Sequence, residues 1–147
     1  SALCTSFKVE LLEGDHDFNN GADAFKVALF KANASITGTY DATTTNYSDM
    51  TGNSDELAAT GGYSTGGFAL TNVNPTSTST TAFTDFSANA SWSSATFTTR
   101  GCLIYNTSDS NSAVAVIDFG ADYSVSGGTF EIQWPAADST NAIIRIA

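Results

Sequence analysis

Beyond position 23 the large apolar residues come in short bursts, every second position, with Thr, Ser, Asn, Asp and Gly between the bursts. Phe25, Val27 and Leu29 alternate with smaller or polar residues, and Phe130, Ile132 and Trp134 flank Glu131 and Gln133. A period of two marks a strand with one face buried. The bursts predict strands over 24–31, 68–73, 81–86, 90–92, 95–99, 102–105, 113–119, 129–134 and 142–146. Val114, Val116, Ile117 and Phe119 read as a more deeply buried strand. Pro75 and Pro135 sit just after strands, where a missing N–H does no harm. No helix-length crossover separates the strands, so the expected class is all-β, an antiparallel sandwich of about eight strands.

The start of the chain has a different period. Leu3, Phe7 and Leu11 are spaced by four, which predicts a short helix over 5–13, capped by Thr5 or Ser6 and stopped by Gly14. So short a helix must dock on something, either its own sheet or a neighbouring chain. Residues 33–67 hold few large aliphatics and read as long loops, with a one-turn helix near Ser54–Leu57, where Ser54, Asp55 and Glu56 suit a helix start. The whole of 1–147 reads as one domain with an N-terminal arm over 1–14.

Composition narrows the function. Of 147 residues, 21 are Thr, 18 Ser and 11 Asn, and 15 acids face 5 bases for a net charge of -10. That charge repels phosphate, which excludes a nucleic-acid partner bound through a basic face. No apolar run approaches the roughly 18 residues needed to cross a bilayer, so no membrane partner is expected. Surface scaling gives a folded area of about 7,100 Å², enough for one core. Ser1 looks like a residue exposed by removal of an initiator Met, and synthesis in the cytoplasm is the working assumption. Cys4 and Cys102 lie far apart and are expected to be reduced, partly buried thiols. Four Asn-x-Ser/Thr sequons, at Asn33, Asn46, Asn89 and Asn106, carry no information in so Ser/Thr-rich a chain.

The residues suited to catalysis are few. His16 is the single histidine; no Gly-x-Ser-x-Gly elbow accompanies it, so it is expected to be a surface loop residue. Glu131 is a candidate for a paired-carboxylate glycosidase, with Asp85 or Asp118 as partner. Alternation turns it to solvent instead. Asp15, Asp17 and Asn19 place oxygens at alternate positions, as a calcium loop opens. The run departs from that motif at Asn20, where Gly belongs, and at Lys26, where Glu belongs, and an acidic turn is the expected reading. Tyr63, Trp92, Tyr105 and Trp134 are candidates for a sugar-stacking platform, but strand aromatics more often fill a core. No cofactor, catalytic residue or resident metal is expected.

Several segments resemble a family of small virion structural proteins of tailed bacteriophages and prophages. They are Thr5–Gly14, Ala24–Phe30, Gly66–Val73, Thr81–Phe86, Ala113–Gly120 and Asn141–Ala147, with the longest being Trp92-Ser-Ser-Ala-Thr-Phe-Thr-Thr-Arg-Gly-Cys-Leu-Ile-Tyr-Asn106. The resemblance implies a capsid cement, or decoration, protein with a jelly-roll-like sandwich. It would sit on the capsid exterior of a virion assembled in the host cytoplasm, bound to the major capsid protein and forming a homo-oligomer, a dimer or trimer. The 33–60 loops depart from the family and would build an outer knob or a partner contact. The resemblance names no contact residue. The chain itself offers Leu3, Phe7, Leu11, Arg100, Arg145 and Ile146, on the terminal elements or as the arginines best placed to be paired. A tail or baseplate adaptor, or a carbohydrate-binding host-recognition module, is the alternative.

Overall fold

The computed structural model describes residues 1–147. The protein is mostly β, with eight strands in two antiparallel sheets and a short N-terminal helix. In chain order the elements are β1 (Ala2–Leu3), α1 (Thr5–Glu13), β2 (Phe25–Lys31), a 3-10 turn at Asn33–Ser35, α2 (Tyr47–Gly52), β3 (Phe68–Ala69), β4 (Thr76–Thr78), β5 (Thr81–Thr84), β6 (Ala90–Asn106), β7 (Ser112–Ile132) and β8 (Ile144–Ile146). The larger sheet runs β1-β7-β6-β2-β3 and the smaller β4-β5-β8. The accessible surface is 7023 Å², the size expected from chain length.

Two very long strands replace five predicted ones. Segments 90–92, 95–99 and 102–105 fuse into β6, and 113–119 and 129–134 lie along β7, which ends at Ile132. The Ser and Gly residues read as turns are irregularities inside one ladder. Register shifts fall between Trp92/Ala95 and Thr99/Gly101, and Ser94, Gly120 and Gly127 take positive φ of 51°, 81° and 65°. A bulge inserts a residue and bends the strand without ending it. Elsewhere the predicted 68–73 strand contracts to Phe68–Ala69 and 142–146 to Ile144–Ile146, while β1 and β4 carry no alternating pattern.

Directly opposed residues of antiparallel strands share a face. Val27 opposes Ile104, which opposes Ala115; Ala28 opposes Leu103, which opposes Val116. Both faces are covered here, so β2 is buried on both sides rather than half-buried as predicted. One face lies under α1 and the smaller sheet, through an aromatic chain running Phe7, Phe18, Phe25, Phe86, Trp134. The other face lies under residues 36–63, where Tyr40 stacks on Phe30 and Tyr47 on Tyr105, with ring centroids 4.6 and 4.5 Å apart. The expected outer knob is therefore a layer of this domain's own core, and Met50, Leu57 and Tyr63 are buried in it.

The helix α1 spans the predicted residues, and Gly14 ends it with φ 89°, its N–H donating to Glu10 O. Its N-cap is Cys4, not Thr5 or Ser6, and makes no side-chain cap bond. The second helix lies at 47–52 rather than at 54–57. Asn46 Oδ1 accepts from Ser48 N, and Asp49 Oδ2 accepts from Asn46 N, a capping box that starts the helix earlier.

Candidate functional site

The two ends of the chain meet. β1 pairs with β7 (Ala2 with Val116, Leu3 with Ala115), and β8 pairs with β5 (Phe83 with Arg145). Leu3 and Arg145 line one surface cavity together with Thr81, Ser139, Ile143 and Ala147, and Leu3 and Ile143 line a neighbouring one with Ile117. Arg145 is exposed and donates from Nη1 to Thr140 O, and Ile146 beside it is 59% exposed. Leu3, Ile143 and Arg145 therefore line one surface with a cation at its rim, whereas Ile146, at the opposite parity of β8, lines neither cavity.

Of the other expected contact residues, Phe7 is buried under the sheet and Leu11 is half-buried against the core. The face they define docks α1 on its own domain. The outward face carries Val9 and Leu12, 52% and 88% exposed. These are apolar residues beyond the i, i+4 stripe, and that surplus was the signal available in the sequence. Arg100 is paired within the chain. Its Nε donates to Asp118 Oδ1 at 2.8 Å, holding the Asp118 carboxyl below the usual carboxylate range.

His16 is buried rather than on a surface loop. Asn106 Oδ1 accepts from the N–H groups of Ser108 and Asp109, which fixes the amide so that Nδ2 faces His16 Nδ1 at 3.0 Å. Nδ1 must accept, so the ring proton is on Nε2 and goes to Glu10 Oε2 at 2.9 Å. The second Nδ2 hydrogen goes to Asp23 Oδ2 at 2.8 Å. Ligand atoms of Glu10, His16 and Asp109 lie within 4.8 Å of one another. A metal on Nε2 would move the proton to Nδ1, against the Asn106 donor, whereas metal-bound histidines give that proton to an acceptor. The group reads as a clamp joining α1, the 15–23 turn and the end of β6.

The acidic turn does not converge on a cation. Asp17 Oδ1 accepts from Asn19 N and Nδ2, Asp23 Oδ2 accepts from Asp17 N, and Asp15 is exposed. These bonds close the turn locally. Glu131 is exposed, as alternation requires, and accepts from Asn89 and Gln133. Asp118 lies on the same strand, ten residues away as counted on the paired β6 and so on the order of 30 Å, far beyond the spacing of paired catalytic carboxylates. Asp85 is buried, and its two oxygens accept from Phe86 N and Ile143 N; burial holds its carboxyl above the usual range. Tyr63, Trp92 and Tyr105 are in the core and Trp134 is half-buried, so they form no exposed platform.

Two acids that sequence reasoning assigned to a helix start instead fasten the loop layer. Asp55, fully buried, accepts from Thr37 N, Gly38 N and Tyr40 Oη. Burial alone would raise its pKa; these donors outweigh burial and lower it. Glu56 accepts from Tyr47 Oη, Tyr63 Oη and Gly66 N. Burial, with Glu56 second, pushes the Tyr105 phenol up to about 12.

The exposed aromatics lie elsewhere. Phe119, Tyr123 and Phe130 line a shallow cavity with Glu131, Ile132 and Gln133 on the outer half of β7. Tyr123 is 51% exposed. Gly120 and Gly127 hid this cluster in the sequence by breaking its alternation. No helix is long and apolar enough to cross a membrane. No protein-family model, curated protein or solved structure matches the chain.

Proposed function

We propose that this protein is a bacteriophage capsid cement protein that binds the outer surface of the major capsid protein lattice. The observation that carries the reading is the surface where the chain ends meet, apolar at Leu3, Ile117 and Ile143 with Arg145 at its rim. A lattice protein needs contact area and defined edges, and repetition across the capsid turns modest contacts into firm attachment. On this reading the two sheets form a jelly-roll-like sandwich on the virion exterior.

The test is quantitative mass spectrometry of purified particles. A copy ratio to the major capsid protein near one, or a simple lattice fraction of it, is expected; absence from the particle overturns the reading. Arg145→Ala is expected to lower occupancy on particles, and unchanged occupancy removes Arg145 from the contact. One observation favours a tail or host-recognition module instead: the exposed Tyr123 beside Glu131 and Gln133, a ring with hydrogen-bonding groups at its edge. A few copies per particle together with binding on a glycan array would select that reading.

A further inference from the structure

β7 has a partner on one side only beyond its first third. β1 covers Ala115 and Val116, and the Ser1 hydroxyl caps the backbone of Asp118. Residues 119–122 form an irregular segment opposite Arg100; from Tyr123 to Ile132 the strand pairs with β6 alone, and its other edge is open. None of residues 119–131 is buried. On β6 the ribbon is covered, Trp92 packing on Tyr63 and Phe68 and Thr96 N donating to Gly61 O, so the open edge belongs to β7, and an open edge is a template for another strand.

The stretch from Tyr123 to Ser126 is regular. Tyr123, Val125 and the serines on either side step one-for-one against β6, Tyr123 opposing Thr99 and Ser126 opposing Thr96, whereas residues 119–122 together face Arg100. The run itself is uncharged, and the nearest charge is Asp122 just before it, whose Oδ1 accepts from Asn33 N. The run is complementary to itself. In an antiparallel pair of identical strands, a two-fold axis normal to the sheet places one residue opposite its own copy. With Ser124 at that centre, Tyr123 faces Val125 of the second copy and Val125 faces its Tyr123, two aromatic–β-branched pairs on one face. On the other face Ser124 meets Ser124, and Ser126 reaches Asp122 where the irregular segment ends. No acid opposes an acid.

We propose that two copies of this chain associate through the open edges of β7, antiparallel, about a two-fold axis at Ser124. The pairing stands on the strand edge and does not depend on the capsid reading. The regular ladder is short, so the interface is of the small, weak class, with dissociation in the micromolar range. Each copy carries a net charge of -10, so added salt screens repulsion and tightens the dimer, whereas binding to a basic partner weakens with salt.

Sedimentation velocity of the full chain, from about 1 to 200 µM at low and high salt, tests this. A dimer that strengthens with concentration and salt is expected. The register is tested by charge. Ser126 is exposed and reaches Asp122 twice in the dimer. Ser126→Lys should tighten association about fivefold and Ser126→Asp weaken it about fivefold. Ser48→Lys and Ser48→Asp, on exposed α2, change net charge equally and should shift it little. A monomer at every concentration and salt overturns the proposal, as does a Ser126 pair that behaves like the Ser48 pair.

Discussion

Over residues 101–106 every side chain of β6 is buried; on β7 from 119 to 131, the other strand of the same hairpin, none is. The same two strands run through both regions, interrupted where residues 119–122 of β7 face Arg100 of β6. What differs is the cover. The inner half carries Cys102, Leu103, Ile104 and Tyr105 against Ala113, Val114, Ala115 and Val116, apolar at both parities, and a layer lies on each face. The outer half gathers Phe119, Tyr123 and Phe130 at one cavity, the Gly127 irregularity switching the parity between Tyr123 and Phe130, and Ser, Thr and Gly fill most of its other positions. Apolar residues on both faces call for two covering layers, and those on one face for only one. The inner half therefore holds the fold together, and the outer half is available for contact.

The largest effects should fall on the inner half. Gly67 takes φ 76°, and a Cβ there would meet Val27 O at 1.9 Å, so Gly67→Ala cannot be accommodated without moving backbone. It should abolish the cooperative urea transition or cost about 4 kcal/mol or more. Leu103→Ala, at a fully buried site, should cost about 2–5 kcal/mol, whereas Val125→Ala on the outer half should cost about 0.5 kcal/mol. Equal urea midpoints for these two variants would erase the distinction between the halves.

The cover of the inner half should respond to acid. Asp55 has a lowered folded pKa, so its contribution is present above the unfolded value and is lost as pH falls through the folded one. Asp118 shares that sign and Asp85 has the opposite one, so a variant is needed to isolate Asp55. Asp55→Asn should cost about 2–3 kcal/mol at neutral pH by leaving donors of Thr37, Gly38 and Tyr40 poorly met. Its deficit against wild type should shrink below about pH 4, where the unfolded carboxyl becomes protonated. A deficit constant from pH 7 to pH 2.5 would show that the charge is not what fastens this layer.

The same contrast explains what could be read from the chain. Short-range regularities were legible: α1, its Gly14 stop, and every segment that lies in β2, β5, β6 or β7. Continuity was not, because Ser94, Gly120 and Gly127 look like turn residues and act as irregularities within a strand. The loop layer was hidden for another reason. Asp55 and Glu56 read as a helix start and His16 as a surface loop residue because their partners (Tyr40, Tyr63 and Asn106) are distant in sequence or joined only through the fold. Of the candidate contact residues, Leu3 and Arg145 come together because the chain ends converge, and Ile146 is exposed on the other side of β8. Phe7 and Arg100 were drawn into the domain by the stripe and the ion pair that first marked them out.

The smallest effect expected lies at Gly127, and it separates backbone conformation from packing. Gly127 and Gly67 both take positive φ, 65° and 76°, so alanine is strained at either. At Gly127 nothing lies within 4 Å of an added Cβ, so only the conformational cost remains, about 1 kcal/mol. Thermal unfolding of dilute Gly127→Ala, where the chain is monomeric, should show that loss and no more. The irregularity also sets the end of the regular run from Tyr123 to Ser126, and a change in its geometry moves that run relative to a second copy. Gly127→Ala should therefore weaken self-association by more than its cost to the monomer predicts. If stability and association fall together in proportion, Gly127 serves the fold alone, and the edge of β7 has no register to protect.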